Sequence, residues 1–200
     1  MQNILKTRFI VIIAVLGALA GVLMFIKFPL PIAPSFYKLE FSDVVGLVGG
    51  FAVGPMAAVL ICLIKNIINV IIEGSVTAFI GELANFLMSA SFCVLASLIY
   101  QKEHTKRGAI KAMVLGTVFL CLIAAIVNYF LLIPAYAKAF KMPIEAIIEL
   151  GTNIFPVIKN LFGFVLLCTL PFNLIKGTCV SLITYVVYKR ISPLLKTKEN

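Results

Sequence analysis

The sequence predicts an all-α membrane protein: one integral domain over residues 1–200, six transmembrane helices, cytoplasmic termini and a ligand cavity in the outer half. Three observations predict it. Hydrophobic residues form 62% of the chain, charged residues 12%, and mean hydropathy is +1.12. Soluble domains hold about 45–50% apolar and about 25% charged residues, so a soluble protein of this size could not cover so much apolar surface. Apolar runs of spanning length recur along the chain, broken by Gly, Pro and charge. The charges outside those runs fall unevenly on the two sides.

The first span, about residues 9–26, is an unbroken apolar run without an A-x-A cleavage site, which argues against a removable signal peptide. The second is a short, glycine-rich run near 43–53, closed by the Gly54-Pro55 break. The third covers about 55–72, the fourth about 80–100, the fifth about 110–133 and the sixth about 163–188. Six spans put both termini on one side. That side carries Lys6, Arg8, Lys102, Lys106, Arg107, Lys111, Lys189, Arg190, Lys196 and Lys198 against only Glu103 and Glu199. The other side balances Lys27, Lys38, Lys138, Lys141 and Lys159 with Glu40, Asp43, Glu73, Glu145 and Glu149. Basic loops stay in the cytoplasm, so the rule places both termini there. The formal charge of +9 is thereby a topology signal and argues against a nucleic-acid partner.

Lys65, Lys176 and Glu82 remain inside spans, where Glu82 is the one acid expected. A lysine near the centre of a membrane helix costs about 2.5–3.5 kcal/mol on insertion scales, so each asks for a reason. At about 1.5 Å per residue, Lys176 lies ~20 Å from the cytoplasmic end of its helix, and Asn85 and Asn128 lie ~25 Å from theirs. Lys65 and Asn69 lie ~15 and ~21 Å beyond Pro55. Asn173 and Lys176, Glu82 and Asn85, and Lys65 and Asn69 are spaced i,i+3 or i,i+4, so each pair shares a helix face. Satisfied interhelical hydrogen bonds, or a Lys–Glu pair holding the bundle, are one account. A ligand cavity open to the outer side is the other, and the common depth of the whole set favours it. Opening such a cavity to water would lower the cost of Lys176.

The outer connections suit a covered cavity. The stretch KFPLPIAPSFYKLEFSD (27–43) is stiffened by Pro29, Pro31 and Pro34 and carries Phe28, Phe36, Tyr37 and Phe41. Interfacial anchoring explains those aromatics equally well. The connection of residues 134–162 is long for a compact bundle, and long loops are often lids. No G-x-x-x-x-G-K-[ST] loop is present, so the chain has no Walker-type ATPase site of its own. An enzyme would need a nucleophile–base pair or a metal cluster, and the sequence shows neither. Cys62, Cys93, Cys121, Cys168 and Cys179 are scattered singly and read as small core hydrophobes, with no metal site expected. His104, in the charged loop QKEHTKRG, reads as a solvated loop residue. On the first span, Ala14, Gly17, Ala18 and Gly21 make a strip of small residues that admits a close helix, from this chain or from another subunit.

Five stretches then carry a resemblance: KLEFSDVVGLVGGFAVGP (38–55), LIKNIIN (63–69), GELANFL (81–87), NYFLLIPAY (128–136) and PFNLIKG (171–177). Together they resemble the substrate-binding S component of an energy-coupling factor (ECF) transporter, of the riboflavin-specific type. The resemblance implies a cell-membrane subunit that captures riboflavin from outside with high affinity. Release inside is then powered by a module of one transmembrane subunit and two ATP-binding subunits. Riboflavin is the transported substrate, with no resident cofactor implied. Residues implied to contact it are Asn128, Asn173 and Lys176, the stretch from Thr77 through Gly81 and Glu82 to Asn85, and Leu39. Lys65 and Asn69 are further candidates from their position. Ala14 and Ala18 resemble the family's A-x-x-x-A docking motif for the shared transmembrane subunit. Residues 137–162 look longer than such a loop need be. The alternatives are an S component for another vitamin or flavin analogue, or a stand-alone small-solute carrier. A purely structural assembly protein would bind no small molecule.

Overall fold

A computed structural model describes residues 2–75 and 77–196, with side chains for all of these but 2–6, 189 and 191–196. Of the charges in the topology argument, Lys198 and Glu199, and the side chains of Lys6, Lys189 and Lys196, lie outside the described residues. The chain is mostly helical. Five helical stretches are long and apolar enough to cross a membrane: Thr7–Met24, Pro55–Glu73, Ile80–Lys102, Lys106–Ala139 and Leu161–Tyr188.

The first belongs to α1 (Gln2–Met24), which leads into a two-stranded antiparallel hairpin, β1 (Lys27–Pro29) and β2 (Lys38–Glu40). An all-helical expectation missed this hairpin, in which Lys27 faces Glu40 and Phe28 faces Leu39. Pro29 is tolerated because neither strand has a second neighbour to receive its missing N–H. Next comes α2 (Ser42–Val53), only 12 residues long. At about 1.5 Å per residue it is too short to cross a hydrocarbon core of about 30 Å alone. It is instead sunk into the bundle, and a Cβ on Gly46 would lie 2.9 Å from the Cys93 sulfur and 3.3 Å from that of Cys62.

Gly54 has φ +123°, a conformation that favours glycine, and Pro55 occupies the first turn of α3 (Pro55–Glu73), where its missing N–H costs nothing. Then follow α4 (Ile80–Lys102) and α5 (Lys106–Val127), whose N-cap Thr105 accepts a hydrogen bond from the Gly108 N–H at 2.9 Å. The helix of α5 runs through a π-helical turn, Asn128–Leu132, into α6 (Ile133–Ala139). The long outer connection of the sequence reading is therefore largely helical: α6, then α7 (Ile144–Thr152), then α8 (Leu161–Phe164). A second π turn, Val165–Thr169, joins α8 to α9 (Leu170–Lys196).

Three clusters of buried side chains hold these elements. One, with Phe51, Phe92, Tyr100 and Tyr188, packs α2 among α4, α5 and α9. A second, with Ile13, Ala20, Ala57 and Ile61, joins α1 to α3. The third, with Tyr37, Leu39, Ile133, Ile147, Ile158 and Phe164, lies under the hairpin and α6–α8, fixing that end of the bundle. Large apolar side chains such as Ile10, Val15, Ile72, Phe130 and Val186 point outward, as a helix facing lipid requires.

Candidate functional site

At the end of the bundle where the hairpin, the α3–α4 connection and α6 converge lies a cavity of about 410 Å³. That volume falls within the usual range of small-molecule pockets. Its wall combines apolar faces (Met24, Met88, Phe36 and Phe172) with an unusual density of polar groups. Thr77, Gly81, Glu82 and Asn85 come from the start of α4 and the loop before it, Asn69 and Glu73 from the end of α3, and Asn173 and Lys176 from α9. The hairpin closes it with Lys27, Tyr37, Lys38 and Glu40, and Tyr136 lines it from α6.

Of the residues the sequence singled out, Thr77, Gly81, Glu82, Asn85, Asn69, Asn173 and Lys176 thus share one wall. Leu39, Lys65 and Asn128 lie behind it. Leu39 is buried in the apolar cluster under the hairpin. Asn128 is fully buried: its Nδ2 donates to the Ala124 carbonyl at 2.7 Å, and its Oδ1 accepts from the Tyr37 hydroxyl at 2.5 Å. The Tyr37 oxygen also lies 2.8 Å from Thr169 Oγ1, so this one hydroxyl ties the two π turns together. Burial pushes the Tyr37 phenol well above its ordinary value, so it serves as a hydrogen-bonding group and not as an anion.

Lys65 and Lys176 meet a pair of acids that sequence reasoning had assigned to an outer loop. Lys176 Nζ donates to Glu40 Oε1 at 2.8 Å and lies 3.1 Å from Asp43 Oδ2. Lys65 Nζ donates to Asp43 Oδ1 at 2.5 Å, Ser42 Oγ at 2.6 Å and Ser89 Oγ at 3.0 Å, with Glu40 Oε1 at 3.5 Å. Two cations and two anions, none more than 7% exposed, form one neutral cluster. Burial alone would raise the Glu40 carboxyl, but Lys176 and Lys65 hold it below its ordinary 4.5.

Two expectations are corrected here. Water in an open cavity is not what offsets the cost of Lys176, whose side chain is only 7% exposed; the two carboxylates do so. Nor is Glu82 the sole acid among the helices, since Asp43 opens α2 and Glu73 ends α3. Glu73 pairs with Lys27 and accepts from Asn69 Nδ2 at 3.2 Å, tying β1 to α3 across the cavity wall. At the start of α4, Thr77 donates to Glu82 Oε2 at 2.7 Å and accepts from the Gly81 N–H at 3.1 Å. A Cβ on Gly81 would come within 2.7 Å of the Tyr136 hydroxyl, so only glycine lets that tyrosine approach.

Two of the five cysteines come together in the fold. Cys62 and Cys93 meet beside Asp43, their ligand atoms within 4.8 Å of one another. Both oxygens of Asp43 face ammonium groups, which oppose a dication there.

From residue 8 to residue 188 the chain matches the family described as ECF transporter, substrate-specific component. It belongs to that family. It is 33% identical over 194 residues to a riboflavin transporter, RibU, of Staphylococcus aureus (strain TCH60), covering 97% of this chain and 95% of that one. It is 28% identical over 197 residues to the riboflavin transporter FmnP of Bacillus subtilis (strain 168), covering 98% of each. A solved structure, described as the S component of a bacterial ECF transporter, superposes with a TM-score of 0.74 at 31% identity, over 96% of this chain and 99% of that one. The chain is therefore a multi-pass membrane protein with the S-component fold.

The small-residue strip of this S component divides between two roles. Gly17 and Gly21 are buried against Ile64 and Ile68 of α3, whereas Ala14 and Ala18, on the flank of the same face, are exposed. What sequence reasoning missed were Glu40, Asp43, Tyr37 and Tyr136. The acids sit in a polar stretch at the mouth of a short helix, where their charge reads as solvated. Their i,i+3 spacing, matching that of Asn173 and Lys176, was the available signal.

Proposed function

We propose that this S component binds riboflavin with high affinity in the cavity and delivers it to an ATP-driven ECF module of one transmembrane and two ATP-binding subunits. The observation that carries this reading is the meeting of Asn173 and Lys176 with Asn85 and Glu82 across one cavity, in a chain related over nearly its full length to proteins named riboflavin transporters. Riboflavin has a flat apolar ring system with an imide and carbonyl edge, and a polyhydroxyl ribityl chain. Amides both donate and accept, which suits the imide, while an ammonium donates to carbonyl or hydroxyl oxygens. Phe36, Phe172, Met24 and Met88 offer the apolar surface for the ring. Carboxylates such as Glu82 are acceptors for ribityl hydroxyls. Leu39 and Asn128 act from behind the wall, Asn128 through Tyr37, and Lys65 through the charge cluster.

In this reading the cavity faces outward, five long helices and the short α2 make six membrane segments, and both termini lie in the cytoplasm, as the basic residues favour. The exposed Ala14 and Ala18 form the docking face for the transmembrane subunit, since small side chains let a second helix come close. The chain itself has no resident cofactor or metal and no catalytic site, and riboflavin is its cargo. Purified protein should carry bound flavin, visible as a yellow absorbance that an excess of another vitamin does not displace. Colourless protein that gains no absorbance on adding riboflavin, but binds a different vitamin, would assign it another substrate.

A further inference from the structure

The two buried lysines differ in how completely they are used. An ammonium has three donors. Lys65 commits its donors to Asp43, Ser42 and Ser89, at 2.5, 2.6 and 3.0 Å, and lies behind the cavity wall. Lys176 makes one hydrogen bond, to Glu40, and meets Asp43 Oδ2 by charge at 3.1 Å, with no aligned hydrogen bond to that oxygen. Lys176 also lines the cavity. Asp43 spans the two, one oxygen on each ammonium.

We propose that Asp43 and Lys65, which touch no part of the cavity, are positioning residues for Lys176: Lys65 anchors Asp43, and Asp43 with Glu40 holds the Lys176 ammonium so that a remaining N–H faces the ligand. The inference rests on the riboflavin reading above. Its physical basis is geometric. A four-carbon lysine stem is flexible, and the ligand would otherwise have to order it on binding. Two carboxylates fixed on β2 and α2 order it in advance, and Lys65 anchors them in turn, Asp43 closely at 2.5 Å and Glu40 more loosely at 3.5 Å. The balanced charge of the cluster means that Asp43 and Lys65 can be removed together, leaving Glu40 and Lys176 as a matched pair.

The test is riboflavin fluorescence quenching by the full-length protein in nanodiscs, for wild type, the paired substitution Asp43→Asn with Lys65→Met, Lys176→Met, and all three changes combined. The paired variant should unfold near the wild-type temperature yet bind riboflavin about tenfold more weakly. In the Lys176→Met background, the same pair should change affinity by less than about twofold. Asp43→Glu, which keeps the charge but moves the carboxylate by one methylene, should show the same dependence on Lys176 and serves if the paired variant does not fold. Wild-type affinity in these variants, or an equal loss with and without Lys176, overturns the positioning role. A wild-type protein that does not bind riboflavin overturns the functional reading itself, a separate result.

Discussion

Lys176 on α9 and Glu40 on β2, 136 positions apart in sequence, meet at 2.8 Å with both side chains buried. This contact ties the hairpin over the cavity to the longest helix of the bundle. With Asp43 and Lys65 it makes a cluster whose charges cancel.

A balanced cluster predicts an asymmetric response to substitution. Glu40→Gln alone leaves two ammonium groups facing one carboxylate and should destabilise the protein by about 3–5 kcal/mol. Glu40→Gln combined with Lys176→Met leaves Asp43 and Lys65 matched and should recover most of that loss. Thermal unfolding in detergent measures both. Additive losses in the double variant would show that charge balance is not what matters here.

The same carboxyl sets a pH dependence. Glu40 is held below its ordinary 4.5 in the folded protein, so its contribution to stability is complete above that value and is lost as pH falls through the lower folded one. Unfolding temperature should be flat from neutral pH into the ordinary carboxylate range and drop below it. Relative to wild type, Glu40→Gln should respond less to acid in that lower range. An identical acid response in the two proteins would remove Glu40 as a source.

Tyr37→Phe should cost about 1–3 kcal/mol, because it leaves the buried Asn128 oxygen without its 2.5 Å donor. The aromatic ring still fills its place against Phe172 and Phe164, so packing is retained and the loss reports on the hydroxyl. An unfolding temperature equal to wild type would mean that the two π turns hold without this bridge.

Ala14→Leu and Ala18→Leu place bulk on the outward side of α1, away from the cavity. Riboflavin affinity of the isolated subunit should stay as in wild type, while uptake by cells expressing the full transporter should fall sharply. Undiminished uptake would move the docking face elsewhere. Gly17→Leu is a different experiment, since it drives a side chain into Ile64 and tests folding.

Much of this was legible before the fold. Hydropathy marks the long helices because each must bury its own backbone polar groups in lipid. Lys176, Asn173, Glu82 and Asn85 stand out because a polar group in an apolar run carries a known cost. The partners of Lys176 did not stand out. Glu40 and Asp43 lie in a polar stretch that reads as a solvated loop, and only tertiary packing shows that this stretch plunges into the bundle with α2. Asn128 illustrates a different limit: its depth and the family resemblance suggest a ligand contact, but neither shows that its amide also bonds Tyr37 and its own helix. The segment 134–162 reads as a lid from its length alone, long for a connection in a compact bundle. Pro143 in fact opens α7, where its missing N–H costs nothing, whereas Pro134 lies within the continuous helix Lys106–Ala139, directly after its π turn.

The most direct measurement is a riboflavin fluorescence titration of the purified wild-type protein beside its Lys176→Met and Asn173→Leu variants. Wild type should quench riboflavin saturably at one ligand per chain, and each variant should bind at least about tenfold more weakly. Absence of quenching by the wild type, or unchanged affinity in both variants, would contradict the assignment of this cavity as a riboflavin site.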